Sequence, residues 1–128
     1  MNDISGFVKL IYYKGRSLGS HLVYQLMSAT DPEKALNEFF LSSRLFEKPD
    51  DDFRDAALQG IEDALVEERQ YLGACFLTWI RARPGTVSRI QIYQEMARHT
   101  VGNSQVDAIE HFLGQIKPHT SRERKSSW

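Results

Sequence analysis

Apolar residues in the first 28 positions recur at the spacing of two helices separated by a turn. Five of them fall on one helical face within residues 4–13: Ile4, Phe7, Val8, Ile11 and Tyr12. The segment VKLIYY in the same stretch is rich in β-favouring residues, so a strand is the alternative. Helix is preferred because the segments that follow are helical. Residues 14–17 predict a turn, and a second helix is expected from about Leu18 to Ser28.

The clearest helix start in the chain lies at residues 31–33. Asp31 is expected to accept hydrogen bonds from free backbone N–H groups, and Pro32 suits the first helical turn, where no donor is needed. Glu33 complements the positive end of the helix dipole. The apolar pattern carries this predicted helix to about Phe46, and Pro49 ends the connection that follows.

A nearly unbroken helical pattern then extends from residue 53 to residue 81. Asp50 or Asp51 is expected to cap its start. The pattern predicts either one long bent helix or two helices that meet near Arg69, with Cys75 in the core. Four acidic residues are assigned to its outer, solvated face: Glu62, Asp63, Glu67 and Glu68.

Residues 84–118 predict two short helices joined by a turn. Pro84-Gly85 ends the upstream helix, and Thr86 or Ser88 is expected to cap the next one, with Val87 among its inward positions. Residues 101–103 predict a turn, and residues 104–107 have the form of a capping box before the last helix. The whole pattern predicts an all-α, compact bundle of five to seven helices. Residues 1–118 form its single domain, made of an acidic scaffold (1–83) and a helix-turn-helix-like pair (84–118), and residues 119–128 are expected to be a mobile basic tail.

Charge is distributed unevenly between the two parts of the chain. The formal net charge is −1, but residues 1–80 hold eight Lys/Arg and thirteen Asp/Glu, whereas residues 81–128 hold eight and four. A basic segment of this kind indicates a polar partner. The single cysteine forms no internal disulfide, and no apolar run approaches the ~20 residues that span a bilayer. We therefore expect a cytoplasmic protein with no membrane partner.

The basic segment and the two C-terminal helices lead to the first functional hypothesis, which is nucleic-acid binding. In a helix-turn-helix, side chains near the start of the last helix touch base edges, and Asn and Gln pair bidentately with adenine. The residues predicted to reach bases are Asn103, Ser104 and Gln105. The residues predicted to contact phosphates are Arg83, Arg89, Arg98, Lys117, Arg122, Arg124 and Lys125.

Part of this segment resembles the winged-helix output domain of two-component response regulators. The resemblance rests on Pro84-Gly85, Val87-Ser88-Arg89, Val106-Asp107 and Leu113, and covers roughly a quarter of the chain. The resemblance implies a preceding sheet and a terminal β-hairpin, whereas the sequence pattern here predicts helices and an irregular tail. No residue role is carried over from that family.

The second hypothesis is a small helical protein–protein interaction module, such as an inhibitor, an adaptor, an immunity-type protein or a subunit of a larger assembly. Its predicted surface is the acidic band from residue 50 to residue 68, with Tyr12, Tyr13 or Trp128 as aromatic anchors. Homodimerisation is left open. Under either hypothesis the protein is a non-catalytic binder or regulator.

Sequence motifs for catalysis or cofactors are missing from the chain. It contains neither a phosphate-binding GK[ST] loop nor a GxSxG nucleophile elbow. Two acid–histidine pairs at i, i+4, Glu95 with His99 and Asp107 with His111, would offer four metal ligands if their helical faces met. The alternative is two surface pairs, and this is the preferred interpretation. We therefore predict no enzyme activity, no cofactor and no metal.

Overall fold

The computed structural model describes residues 2–49, 51–81, 83–100 and 105–115, and within these ranges the protein is helical and has no strand. Its elements, in chain order, are α1 (Asn2–Ser28), α2 (Pro32–Ser43), a short 3₁₀ helix (Leu45–Glu47), α3 (Asp52–Glu67), α4 (Tyr71–Arg81) and α5 (Thr86–Thr100). Residues 105–115 form a further helical segment, which we call α6. The predicted all-α bundle is confirmed.

The first helix runs without interruption through the turn predicted at residues 14–17, so that prediction was wrong and the helical alternative for residues 4–13 was right. Its two central glycines are buried because α3 packs directly on them. A Cβ atom on Gly15 would lie 2.1 Å from the carbonyl oxygen of Ala57, and one on Gly19 would lie 2.7 Å from the Cβ of Ala64. The glycines therefore serve a close helix–helix contact rather than a turn.

The two aspartate caps form as predicted where the structure describes them. Asp31 accepts a hydrogen bond from the backbone N–H of Lys34 at 3.2 Å, with Pro32 in the first helical turn. Asp51 accepts from the backbone N–H of Arg54 at 3.0 Å, whereas Asp50 lies outside the described residues. The helix after Asp31 ends earlier than predicted because the chain adopts a left-handed conformation just after Ser43.

The long pattern between residues 53 and 81 divides into two helices, which confirms one of the two predicted alternatives. The break lies at residues 68–70, where Arg69 has a φ of 58°. After it, α4 is almost entirely apolar, and all residues from Tyr71 to Thr78 are buried. Cys75 is buried, as expected, and this burial raises the pKa of its thiol to about 12.

The hydrophobic core joins all the helices. Its fully buried large apolar side chains are Leu22, Leu36, Leu58, Ile61, Leu65, Leu77 and Ile109. Three phenylalanines link α2, α4 and α6, since the ring of Phe76 lies 6.0 Å from that of Phe40 and 5.4 Å from that of Phe112. This packing fixes α6 against the bundle.

The fifth helix begins one residue after Gly85, whose φ is 84°. Thr86 is therefore the first helical residue, and its hydroxyl donates back to the carbonyl oxygen of Arg83. Ile90, Tyr93 and Ala97 face the core. The inward placement of Val87 was wrong, because this residue is exposed. The predicted turn at 101–103, Ser104 of the capping box and the tail at 119–128 lie outside the described residues.

Among the described helices, none is long and apolar enough to cross a membrane.

Candidate functional site

A buried acidic residue, Glu62, lies where α3, α4 and α5 meet. It was expected on a solvated face, but only 2% of it is exposed, so that expectation was wrong. Arg81, the last residue of α4, donates from Nη1 to Glu62 Oε1 at 3.0 Å and from Nη2 to Asp55 Oδ1 at 2.6 Å. The Arg81 side chain is itself only 7% exposed, and these carboxylates compensate its buried charge.

The fifth helix closes the cluster from the other side. Arg89 Nη1 lies 3.3 Å from Glu62 Oε2, and the buried hydroxyl of Tyr93 donates to the same oxygen. Burial and this hydrogen bond both raise the pKa of Tyr93. Three donors thus hold the Glu62 carboxylate in place. The cluster therefore joins α3, α4 and α5 through one buried carboxylate.

We call these interacting side chains the Glu62 cluster: Asp55, Glu62, Arg81, Arg89 and Tyr93. Two open recesses flank this cluster. The larger, of about 570 Å³, lies between α1, α3 and α5, and charged side chains of both signs surround it. The smaller, of about 160 Å³, is formed by residues 83–86 together with the cluster. Because positive and negative groups alternate around both recesses, neither presents a field of one sign to an ionic ligand.

Two polar contacts tie α1 to the same face of α3. The Tyr12 hydroxyl donates to Asp63 Oδ2 at 2.5 Å, and this hydrogen bond raises the pKa of Tyr12. Arg16 donates to Glu67, and this hydrogen bond raises the pKa of the guanidinium. Tyr12, predicted to be an exposed anchor, is therefore half-buried and paired. The acidic band at residues 50–68 is in large part occupied by intramolecular partners.

The described residues that were predicted to bind nucleic acid all have partners within the chain. Arg83 Nη2 lies 3.1 Å from Asp55 Oδ1, and Arg98 pairs with Glu95 one turn away on α5. Gln105 Oε1 accepts the backbone N–H of Tyr71 at 2.7 Å, so it caps the start of α4. The structure brings Arg83 and Arg89 together at the Glu62 cluster and places Arg98 and Gln105 apart from it. The remaining predicted residues lie outside the described ranges: Asn103, Ser104, Lys117, Arg122, Arg124 and Lys125.

The two acid–histidine pairs do not combine. His99 Nε2 lies 3.4 Å from Glu95 Oε2, and His111 contacts Gln115 on its own helix. Within the described ranges, no group of three or more His, Cys, Asp or Glu side chains is placed to hold a metal ion.

The outer face of α1 carries a row of exposed side chains that sequence reasoning missed. We call this row the α1 seam: Leu10, Tyr13, Ser17, Ser20, Tyr24 and Met27, all exposed. The four large members are 57–76% exposed. The predicted turn at 14–17 divided the row in two and hid it, although the alternating spacing of three and four residues is visible in the sequence.

Comparisons of the chain with protein-family models, with curated protein sequences and with solved structures each find no match. Function is therefore inferred from the side chains of this chain alone.

Proposed function

We propose that this protein is a non-catalytic helical module that binds another protein through the α1 seam. The supporting observation is the row of large apolar side chains on the solvent side of a 27-residue helix. Large exposed apolar side chains at both ends of the seam are typical of an interaction site, and Tyr is enriched at the centre of protein interfaces. The opposite face of α1 is already occupied by α3, so a partner would meet the seam without displacing a core contact.

The arrangement of charge favours a protein partner over nucleic acid. Binding to a duplex depends on Lys and Arg side chains that neutralise phosphates. Arg83, Arg89 and Arg98 instead lie within ion-pair distance of carboxylates of the same chain. Gln105, which was predicted to read bases, is engaged by the backbone of α4. Each of these groups would have to exchange an internal partner for a nucleic-acid one.

A photoreactive amino acid placed at position 24 of the full chain tests this proposal in the native host. Leu41 on α2 is the matched control position, because it and Tyr24 are both 76% exposed. We expect irradiation to yield a discrete, protease-sensitive and nuclease-resistant adduct from position 24 and none from position 41. A nuclease-sensitive adduct from position 98, with no protein adduct from position 24, would reverse the proposal in favour of nucleic acid.

A further inference from the structure

The α1 seam has the spacing of a helix–helix interface. Its members follow one another at intervals of three, four, three, four and three residues, which is the a/d pattern of two and a half heptads. A strict pattern of this kind drifts by ~20° per heptad around a straight helix. The ~+20° crossing angle of packed helices compensates this drift, so one further helix can follow the whole row.

The seam is also symmetric about its midpoint, between Leu18 and Gly19. Reversing the direction of the helix exchanges Leu10 with Met27, Tyr13 with Tyr24, and Ser17 with Ser20. An interface around a two-fold axis needs a surface that is complementary to itself in this manner. We propose that the partner is a second copy of this chain, paired antiparallel through the α1 seam; the inference rests on the proposed function.

The sizes of the side chains match this pairing layer by layer. Apolar Leu10 and Met27 would meet at each end, and Tyr13 would pack against Tyr24 of the second copy in an offset aromatic pair. The small Ser17 and Ser20 would meet at the centre, where two helices come closest. With no bulky side chain there, the helix axes can approach to the ~8 Å end of the usual range.

The cations on α1 favour the antiparallel direction over the parallel one. Lys14 is exposed and lies beside the seam. In a parallel pair it would face the exposed Lys9 of the second copy, because the residue after a d position meets the residue before an a position of the other helix. In the antiparallel register the two Lys14 positions differ by nine residues, or ~14 Å along the helix axis. This separation exceeds the ~8 Å screening length at physiological salt.

The exposed area is of the order that a stable dimer needs. Tyr13, Tyr24 and the neighbouring Phe7 are 57%, 76% and 58% exposed. With ~200 Å² per aromatic side chain, they offer roughly 400 Å² on each copy. Leu10, Met27 and the polar side chains along the helix add to this, and stable interfaces bury ~800 Å² per partner.

Sedimentation equilibrium of the purified full chain tests the pairing. We expect a species of twice the 14.7 kDa chain mass that dissociates on dilution. Tyr24→Glu should raise the dissociation constant of the dimer by ~100-fold. Each substituted side chain is expected to weaken binding by ~10-fold, and a two-fold interface contains two of them. Leu41→Glu, at a position of equal exposure, should leave the dissociation constant unchanged. Circular dichroism of both variants verifies that they remain folded.

Disulfide trapping tests the direction. An equimolar mixture of Leu10→Cys and Met27→Cys chains should form a cross-linked dimer under mild oxidation, whereas neither variant alone should. In the antiparallel pair, the same substituted position in the two copies would lie 17 residues apart along the helix, or ~26 Å. This distance is well beyond the ~7 Å limit for a disulfide. The natural Cys75 is buried and does not compete.

The outcomes separate this inference from the proposed function. A chain that stays monomeric at high concentration, or cross-linking of each single variant as efficient as that of the mixture, would overturn the antiparallel pair. If the adduct from position 24 then contained a different protein, the proposed function would stand without the second copy. If position 24 gave no protein adduct, both would fail.

Discussion

Helical periodicity alone predicted the wrong environment for Glu62. An acidic side chain within an amphipathic segment is ordinarily solvated, since burying an unpaired charge costs several kcal/mol. Here the compensating groups, Arg81, Arg89 and Tyr93, come from 19 to 31 residues further along the chain. No local pattern around position 62 indicates them. Local signals such as Asp31 before Pro32 were sufficient for the cap at that helix start.

Replacing Glu62 by Gln should destabilise the fold strongly. The amide keeps the shape but removes the charge that compensates the buried Arg81, which among the described residues then retains Asp55 as its anionic partner. We expect the free energy of unfolding, measured by urea denaturation, to fall by about 3 kcal/mol. Glu95→Gln is the control, because it removes an exposed pair with Arg98 and should cost less than ~0.5 kcal/mol. Equal losses in the two variants would contradict the role given to Glu62.

At the scale of elements, the sequence predicts helices well and their junctions less well. The start at Asp31 was predicted correctly, because capping chemistry is local, whereas the break near Arg69 was one of two alternatives that the pattern left open. The continuity of α1 was missed, because glycine within a helix and glycine in a turn look alike in sequence. Only the position of α3 distinguishes them: Gly60 on that helix would place a Cβ 2.2 Å from the carbonyl oxygen of Tyr12.

Gly15→Ala should therefore destabilise the packing of α1 on α3, although alanine is the better helix former. The added methyl group would collide with backbone atoms of Ala57, which cannot move without shifting the helix. We expect the free energy of unfolding, measured by thermal or urea denaturation, to fall by about 3 kcal/mol. Gly6→Ala provides the matched control, since a Cβ there has no atom within 4 Å. That variant should be neutral or stabilised by up to ~1 kcal/mol. Stabilisation of both variants would show that the helices are not in close contact.

At the scale of the whole molecule, the uneven distribution of charge acquires a different meaning. From the sequence alone, the first hypothesis was that the basic segment binds an external polyanion. In the structure, the arginines that begin this segment, Arg81, Arg83 and Arg89, lie against the carboxylates of α3. Within the described residues, the start of the basic segment thus complements the acidic part of the same chain. Counting charged residues along the sequence cannot show whether the basic residues pair with acidic residues of the same chain or with an external polyanion, because the counts are the same in both cases.

This internal complementarity predicts weak and unspecific binding to DNA. We expect fluorescence anisotropy with a labelled duplex to give dissociation constants no tighter than the ~10⁻⁶ M limit of non-specific binding at physiological salt. Arg98→Ala should leave the slope of log affinity against log salt unchanged, because Arg98 pairs with Glu95 on its own helix. A phosphate contact by Arg98 would instead reduce the slope by ~1. Nanomolar binding combined with such a reduction would show that the arginine leaves its carboxylate for the duplex, and it would restore nucleic acid as the partner of the basic segment.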